Sequence, residues 1–179
     1  MWLRDQLPKD IPGMRNIIYG YDTKLIMSDS YQDMTDLTRS FVASFERVSH
    51  NFSPRRPLVF LAHSMGGILL KSALVKMHSG EVGGAWEALL GLVRQVILFG
   101  VPNRGMDESI FQGMVAGQPN AKFVAKLNTG SAYLMLLDRE FFKVARKRRI
   151  RLISVYETKG SSRLVVSSRS NDVFFSINA

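Results

Sequence analysis

The stretch that decides the fold runs from residue 57 to residue 79 and reads PLVFLAHSMGGILLKSALVKMHS. It opens with a continuous apolar run over residues 57–62, which is typical of a central strand covered on both faces. After Ser64, apolar residues recur at helical spacing. We therefore predict a strand, a sharp turn at Ser64 and a helix, with these residues on the buried side of the helix: Ile68, Leu69, Ala73, Leu74 and Met77.

The turn itself, AHSMGG over residues 62–67, places a serine where a strand passes directly into a helix. Such a turn strains the backbone of the residue at its tip and exposes that residue's hydroxyl above the sheet. It also brings the residues two before and two after the tip close together, so both must be small. Ala62 and Gly66 meet this demand, although Gly is usual at the first of the two positions.

These features are those of the nucleophile elbow of α/β-hydrolases. We predict Ser64 as the nucleophile and the Met65 amide as an oxyanion donor, because free N–H groups at the start of the helix point toward the site. Ala62, His63, Gly66 and Gly67 complete the elbow. The simpler interpretation is an ordinary serine at a helix N-cap.

Along the chain, short apolar runs alternate with longer helical patterns, which indicates a parallel sheet with crossover helices. Strands are predicted over 14–21, 57–62, 93–100 and 150–156, with 163–167 as a candidate fifth. Helices are predicted over 31–49, after the elbow, over 108–115 and over 132–147. We expect residues 1–179 to form a single partial α/β-hydrolase domain. Its predicted architecture is a reduced three-layer α/β sandwich with a mainly parallel sheet.

The composition excludes several classes of protein. With 46% hydrophobic and 22% charged residues, the chain resembles an ordinary folded, water-soluble domain. It has no Cys, which excludes a disulfide framework and a Cys nucleophile and fits an intracellular protein. The start has no secretion signal, and no apolar run approaches the ~20 residues that span a bilayer. No metal-ligand spacing and no phosphate-binding glycine loop is present in the sequence, so no cofactor is predicted.

The chain carries a net charge of +9, and its densest cationic cluster falls where a predicted helix ends and a strand begins. Cations there complement the negative end of the helix dipole, so a solvated helix end is one interpretation. A surface that makes peripheral contact with phospholipid is the other. No aromatic residues are interleaved with the charges, so nucleic-acid binding is not predicted. The cluster consists of Lys143, Arg146, Lys147, Arg148, Arg149 and Arg151.

Three motifs in order carry a family resemblance: YGYD over residues 19–22, the elbow, and FGVPNRG over residues 99–105. Over residues 2–158 the chain resembles a lipase-like family, the serine-active-site-containing phospholipid-remodelling proteins, and the related hydrolase domains of fungal NACHT and ankyrin-repeat proteins. The resemblance implies a serine esterase or lipase with a Ser, acid and His triad and an ester or lipid substrate. It also implies association with mitochondrial or endoplasmic reticulum membranes.

Compared with that family, we expect the chain to be truncated at both ends. Segments that precede and follow the sheet in the family would otherwise cover its edges and its apolar surface. Exposed strand edges and apolar patches promote pairing with other chains. We therefore predict a tendency to self-associate.

A serine hydroxyl needs a general base, and none of the three histidines is placed to serve. His63 adjoins Ser64, but successive strand residues point to opposite faces. His78 is roughly 20 Å away along the helix, at about 1.5 Å per residue. His50 precedes the strand and is again on the order of 20 Å away, at about 3.3 Å per residue. The base would have to come from another chain.

Glu157 is the predicted acid, because it ends a predicted strand at a position where the family's fold places one. An exposed carboxylate at a strand end is the alternative interpretation. Asp107 and Asp172 are weaker candidates. Asn103 and Arg104 are expected to shape their loop or to lie near the substrate.

Two functions remain open on the sequence. The first is a serine hydrolase that cleaves a carboxylic ester, with Ser64 as nucleophile. The second is a catalytically silent fragment of such a domain that acts as an interaction or regulatory module. The intact elbow favours the enzyme, and the absence of a suitably placed histidine favours the silent module.

Overall fold

The computed structural model, which describes residues 5–21, 32–49, 56–80, 85–106, 119, 124–157 and 173–177, contains a four-stranded sheet. The strands are β1 (Leu58–His63), β2 (Val93–Phe99), β3 (Arg151–Glu157) and β4 (Val173–Ile177). They lie in the order β1-β2-β3-β4, and each neighbouring pair is parallel. The predicted α/β class with a parallel sheet is confirmed.

Five helices lie in the described residues: α1 (Leu7–Asp10), α2 (Met34–Ser49), α3 (Met65–His78), α4 (Ala85–Leu92) and α5 (Ala132–Arg148). The sequence patterns predicted α2, α3 and α5. They missed α4, because its residues AWEALLGL are apolar almost throughout and few polar positions mark a period. The strand β4 was also missed, because its residues VFFSI do not alternate between apolar and polar. The helix predicted over 108–115 and the strand predicted over 163–167 lie outside the described residues.

Helices α2 to α5 form one layer on one face of the sheet. Helices α2, α4 and α5 each pack against α3, and α3 packs against β1. The ring of Phe45 on α2 lies 5.5 Å from the ring of Phe60, which shares a sheet face with Val96 and Leu152. The residues predicted for the buried side of α3 are all buried in this layer, together with large side chains from the neighbouring elements: Trp86, Leu90 and Phe141.

The opposite face of the sheet is apolar and open at its β1 end. Val59 and Leu61 alternate with the core residues of β1, and their side chains are 50% and 42% exposed. Leu61 lies in register with Ile97 and Ile153 on this face. Within the described ranges, the sheet and the α3 layer thus supply two of the three layers that the predicted sandwich requires.

The predicted strand over residues 14–21 is wrong, because these residues belong to no strand. A strand requires a neighbouring strand to hydrogen-bond with, and within the described residues only β2 pairs with β1. The segment packs through its aromatic side chains instead. The Tyr19 ring meets the Phe41 ring of α2 edge to face at 4.9 Å, while the side chain of Ile18 is 72% exposed.

Candidate active site

Ser64 occupies a strained turn between β1 and α3. Its backbone has φ 50° and ψ −129°, a combination that non-glycine residues rarely adopt. The Ser64 amide donates a hydrogen bond to the Phe99 carbonyl at 2.9 Å, and the Gly67 amide donates to the Ser64 carbonyl at 3.0 Å. The turn is therefore held from β2 on one side and by the first turn of α3 on the other.

The geometry of Ser64 differs from that of an ordinary helix cap in the same molecule. Ser131 precedes α5 with φ −54° and ψ 120°, and its hydroxyl accepts a hydrogen bond from the Leu134 amide. Ser64 has the positive φ given above, and its side chain makes no capping bond. Within the described residues, no group hydrogen-bonds the Ser64 hydroxyl. The interpretation of Ser64 as an ordinary N-cap serine is thus not supported.

The three sequence motifs meet at this turn. A Cβ atom on Gly66 would lie 3.4 Å from the Tyr21 hydroxyl, so the first motif borders the start of α3. A Cβ atom on Gly67 would lie 2.2 Å from Cγ2 of Val101, so the third motif packs directly on the helix backbone. Burial raises the pKa of Tyr21, and the neighbouring Tyr19 raises it further. Segments far apart in sequence therefore surround Ser64.

A buried lysine fixes the loop that follows β2. The side chain of Lys71 on α3 is 3% exposed, and its Nζ donates to Asn103 Oδ1 and to Asp138 Oδ1, each at 2.6 Å. Nζ also lies 5.2 Å from the centre of the Phe141 ring, which is a favourable position for a cation. Lys71 therefore links the elbow helix, the loop and α5, and it accounts for Asn103 as a loop-shaping residue.

The sequence patterns missed Lys71, although a signal was present. It lies three residues after Ile68 and three before Leu74, on the buried stripe of α3. A charged residue on such a stripe is almost never fully buried without a partner. The partner Asp138 lies 67 residues further along the chain, and no local pattern connects the two.

The two described histidines lie away from the Ser64 hydroxyl. His63 ends β1 with its side chain exposed to solvent. His78 ends α3 at the opposite edge of the sheet, where its ring nitrogens lie 3.4 Å from Lys147 Nζ and 3.3 Å from Arg148 Nη2. His50 lies outside the described residues. The described part of the chain brings no base to Ser64.

Glu157 reaches the same edge of the sheet as Ser64. It is the last residue of β3, two strands from β1, which is roughly 10 Å at about 4.8 Å per strand. Only its backbone position is described, so its role as the acid stays a prediction. Arg104 is exposed in the loop after β2. Asp22, Asp107 and Asp172 lie outside the described residues.

The described residues contain neither a candidate metal site nor a helix that could span a membrane. No three His, Cys, Asp or Glu side chains among them are grouped so that they could hold a metal ion. None of the described helices has both the length and the hydropathy needed to cross a bilayer.

The chain shares its fold with a solved structure. It is similar to the solved structure of phospholipase PlaB from Legionella pneumophila in complex with thio-NAD, with a TM-score of 0.58 and 13% identity over 77% of this chain and 29% of that one. The lipase BlEst2 from Bacillus licheniformis, solved in its mature form, matches with a TM-score of 0.47 and 19% identity over 69% of this chain and 48% of that one.

Curated relatives by sequence carry a single name. The chain is 26% identical over 165 residues to protein SERAC1 of Mus musculus, and 24% identical over 164 residues to protein SERAC1 of Homo sapiens. Each match covers 88% of this chain and 24% of the relative, so the chain spans about a quarter of the length of these relatives. No family model matches the chain.

Proposed function

We propose that this domain is a serine hydrolase that cleaves a carboxylic ester, with Ser64 as the nucleophile. The observation that carries the proposal is the strained backbone of Ser64. The Ser64 hydroxyl lies at the start of α3 and makes no capping hydrogen bond. Strain of this kind costs about 1–3 kcal/mol and persists mainly where function requires it. A lipid ester is the proposed substrate class, because the chain has the fold of a protein named as a phospholipase.

The chemistry would proceed through an acyl-enzyme. A general base removes the proton from Ser64 Oγ, which attacks the ester carbonyl carbon. The Met65 amide, at the N-terminus of α3, donates to the oxygen on which negative charge develops. The intermediate expels the alcohol, which takes up the proton, and water then releases the acid and restores Ser64. In this scheme Glu157 orients the base.

The proposal requires a base from outside the described residues, since neither His63 nor His78 approaches Ser64. This requirement leads to a two-part test on the purified full chain. The first part measures hydrolysis of p-nitrophenyl esters of increasing acyl length by the wild type and by Ser64→Ala. We expect Ser64→Ala to lose activity by at least about 1,000-fold, as removal of a nucleophile does.

Ser131→Ala is the matched control for this test, because it removes a serine hydroxyl from another helix start. It should lose about 1 kcal/mol of stability through the missing cap and keep the wild-type rate within about twofold. Equal rates for the wild type and Ser64→Ala would overturn the proposal.

The second part adds imidazole as an external base. If Ser64 lacks a base in the isolated chain, imidazole should raise the rate of ester hydrolysis by the wild type. Imidazole also hydrolyses the ester by itself, and the rate with Ser64→Ala measures that background. A high wild-type rate that imidazole leaves unchanged would instead mean that a residue outside the described ranges already serves as the base.

A silent interaction module is the second candidate function, and the Ser64 hydroxyl without a base partner in the described residues favours it. A wild type that is folded by circular dichroism, yet inactive with and without imidazole, would establish this candidate over the first.

A further inference from the structure

A cluster of cations lies at the sheet edge opposite Ser64. The strands are parallel, so β2 and β3 begin at one edge, and the crossover helices α3 and α5 end there. We call this cluster the basic edge. It lies roughly 20 Å from Ser64, the length of the 14-residue α3 at about 1.5 Å per residue. Its cationic members are Lys76, Arg94, Arg146, Lys147, Arg148, Arg149 and Arg151, and the imidazole of His78 lies among them.

Contacts between helix ends hold the middle of the basic edge together. The ring of His78, at the end of α3, lies 3.4 Å from Lys147 Nζ and 3.3 Å from Arg148 Nη2, both at the end of α5. Arg148 also pairs with Glu87 on α4. The cations of α3 and α5 therefore form one surface.

This surface is not neutralised by carboxylates in the described part of the chain. Glu87 is the acidic residue that pairs with this surface, and its carboxylate is paired with Arg148. The Nε atom of Arg148 is buried and has no hydrogen-bond partner among the described residues. The remaining cations include a solvent-exposed group without a salt bridge in the described residues: Arg94, Arg146, Lys147, Arg149 and Arg151.

The dipole of α5 explains only part of the cluster. Arg146, Lys147 and Arg148 lie in its last turn, where cations are favourable. Arg94 begins β2, Arg151 begins β3 and Lys76 belongs to α3, so these three come from other elements. The dipole of α5 does not explain why these three residues lie at the same edge.

We propose that the basic edge binds the surface of an anionic phospholipid membrane. A broad, exposed array of Lys and Arg attracts anionic head groups, at about 1 kcal/mol per cation near the surface. Val59, which is 50% exposed, lies in register with Gln95 and Arg151, so an apolar side chain borders the cations on the same sheet face. This mixture fits the interfacial zone of a membrane better than it fits a single-stranded nucleic acid, whose binding sites combine basic grooves with exposed aromatic residues.

Binding through the basic edge has a consequence for orientation. Ser64 and the ends of β1 to β3 lie at the opposite edge, so they would face away from this membrane. A substrate would therefore reach the site from the aqueous side.

Sedimentation with vesicles tests the proposal without reference to esterase activity, so it can fail independently of the proposed function. Full-length protein is mixed with vesicles of phosphatidylcholine alone or with 30% phosphatidylglycerol. We expect binding to the anionic vesicles, with loss of binding in 1 M salt, where the Debye length falls to about 3 Å. The double variant Arg146→Glu/Arg151→Glu should bind at least about 25-fold more weakly, at about fivefold per cation lost.

Lys9→Glu/Arg39→Glu is the matched control, because it makes the same charge change at exposed sites on α1 and α2. It should bind within about threefold of the wild type, with both double variants folded by circular dichroism. Equal weakening in the two double variants, or no binding by the wild type, would overturn the proposal. Binding to a DNA oligonucleotide but not to anionic vesicles would overturn the lipid assignment.

Because the chain has no cysteine, single-thiol variants report orientation directly. A polarity-sensitive dye is attached at Ser79→Cys, beside the basic edge, or at Ala132→Cys, at the start of α5. Vesicle binding should shift the emission of the first dye to shorter wavelength and leave the second unchanged. The reverse result would contradict the proposed orientation.

Discussion

Ser64 and Arg149 are the two described non-glycine residues with positive φ, and they differ in kind. Arg149 has φ 55° and ψ 39°, the left-handed conformation that single residues adopt at helix ends. Ser64 combines φ 50° with ψ −129°, which lies outside that region. The hydrogen bonds of Ser64 to Phe99 and Gly67 thus hold a conformation that the residue would not choose on its own.

This strain predicts that Ser64→Gly is more stable than Ser64→Ala. Glycine tolerates positive φ, while alanine keeps the Cβ atom that causes the strain. Glycine also raises the entropy of the unfolded chain, which offsets part of this gain. We expect a net difference of about 1 kcal/mol in the free energy of unfolding, measured by urea denaturation. A Ser64→Gly variant less stable than Ser64→Ala would mean that the turn is not strained.

His78 provides a prediction about pH. Burial lowers its pKa first, the charges of Lys147 and Arg148 lower it further, and Glu87 opposes them. A titration followed by NMR should therefore find the pKa of His78 below the ordinary value of about 6.5, and Lys147→Ala should raise it.

The sign of the linked stability follows from that direction. On acidification, His78 takes up a proton at a higher pH in the unfolded chain than in the folded chain. The contribution of His78 to the free energy of unfolding is therefore fully present above the pKa of the unfolded state. It is lost as the pH falls through the folded pKa. Denaturation of His78→Gln should show a smaller loss of stability than the wild type on acidification. An equal loss in both would contradict the assigned pKa direction.

At the scale of elements, the contact between α3 and the loop after β2 is the tightest that the motifs make. A Cβ atom on Gly67 would lie 2.2 Å from Val101 Cγ2, and Val101 is buried. We predict that Gly67→Ala destabilises the domain by about 1–3 kcal/mol, as overpacking does, in thermal or urea denaturation.

Two further variants make this prediction specific. Among the described residues, the Cβ atom of Gly66→Ala would meet only the Tyr21 hydroxyl, at 3.4 Å, so this variant should be tolerated. Val101→Ala should recover part of the loss when combined with Gly67→Ala, since neighbouring sites couple by about 0.5–3 kcal/mol. If the changes in unfolding free energy of the two substitutions simply added, the contact between Gly67 and Val101 would not limit the packing.

Elements with strong periodicity or a turn signature were predictable from sequence, because local physics determines them. The β1 to α3 unit is an example: its apolar run, small turn residues and helical stripe all agree. Residues 14–21 have a similar apolar content but form no strand, because strand formation also depends on a neighbour that local sequence does not specify. The Lys71–Asp138 pair was likewise outside local prediction, since it joins two helices in space.

For the whole molecule, the pattern of runs predicted a parallel sheet, and connectivity explains why the helices share a face. Consecutive parallel strands joined by right-handed crossovers place each crossover helix on the same side. The sequence order of the strands matches their order in the sheet, so α3, α4 and α5 follow one another along one face. Exposed apolar surface on the sheet was predicted, but not which face would carry it, because strand order cannot be read from hydropathy.

Self-association stays a prediction, and the open face gives it a location. Val59 and Leu61 expose apolar side chains on the edge strand of the described sheet. We expect the wild type to form dimers or larger species at micromolar concentration, measured by light scattering after size exclusion. Val59→Lys/Leu61→Lys should shift it to monomer, because charges block edge pairing. A monomeric wild type would contradict the prediction.

We propose that Ser64 is an activated nucleophile, and labelling with a fluorophosphonate probe measures that activation. Such a probe reacts quickly only with an activated serine, and intact mass with peptide mapping locates the adduct. We expect one adduct, on Ser64, formed in the wild type and Ser131→Ala and absent in Ser64→Ala, with imidazole accelerating its formation. A folded wild type that stays unlabelled with imidazole present would contradict the claim.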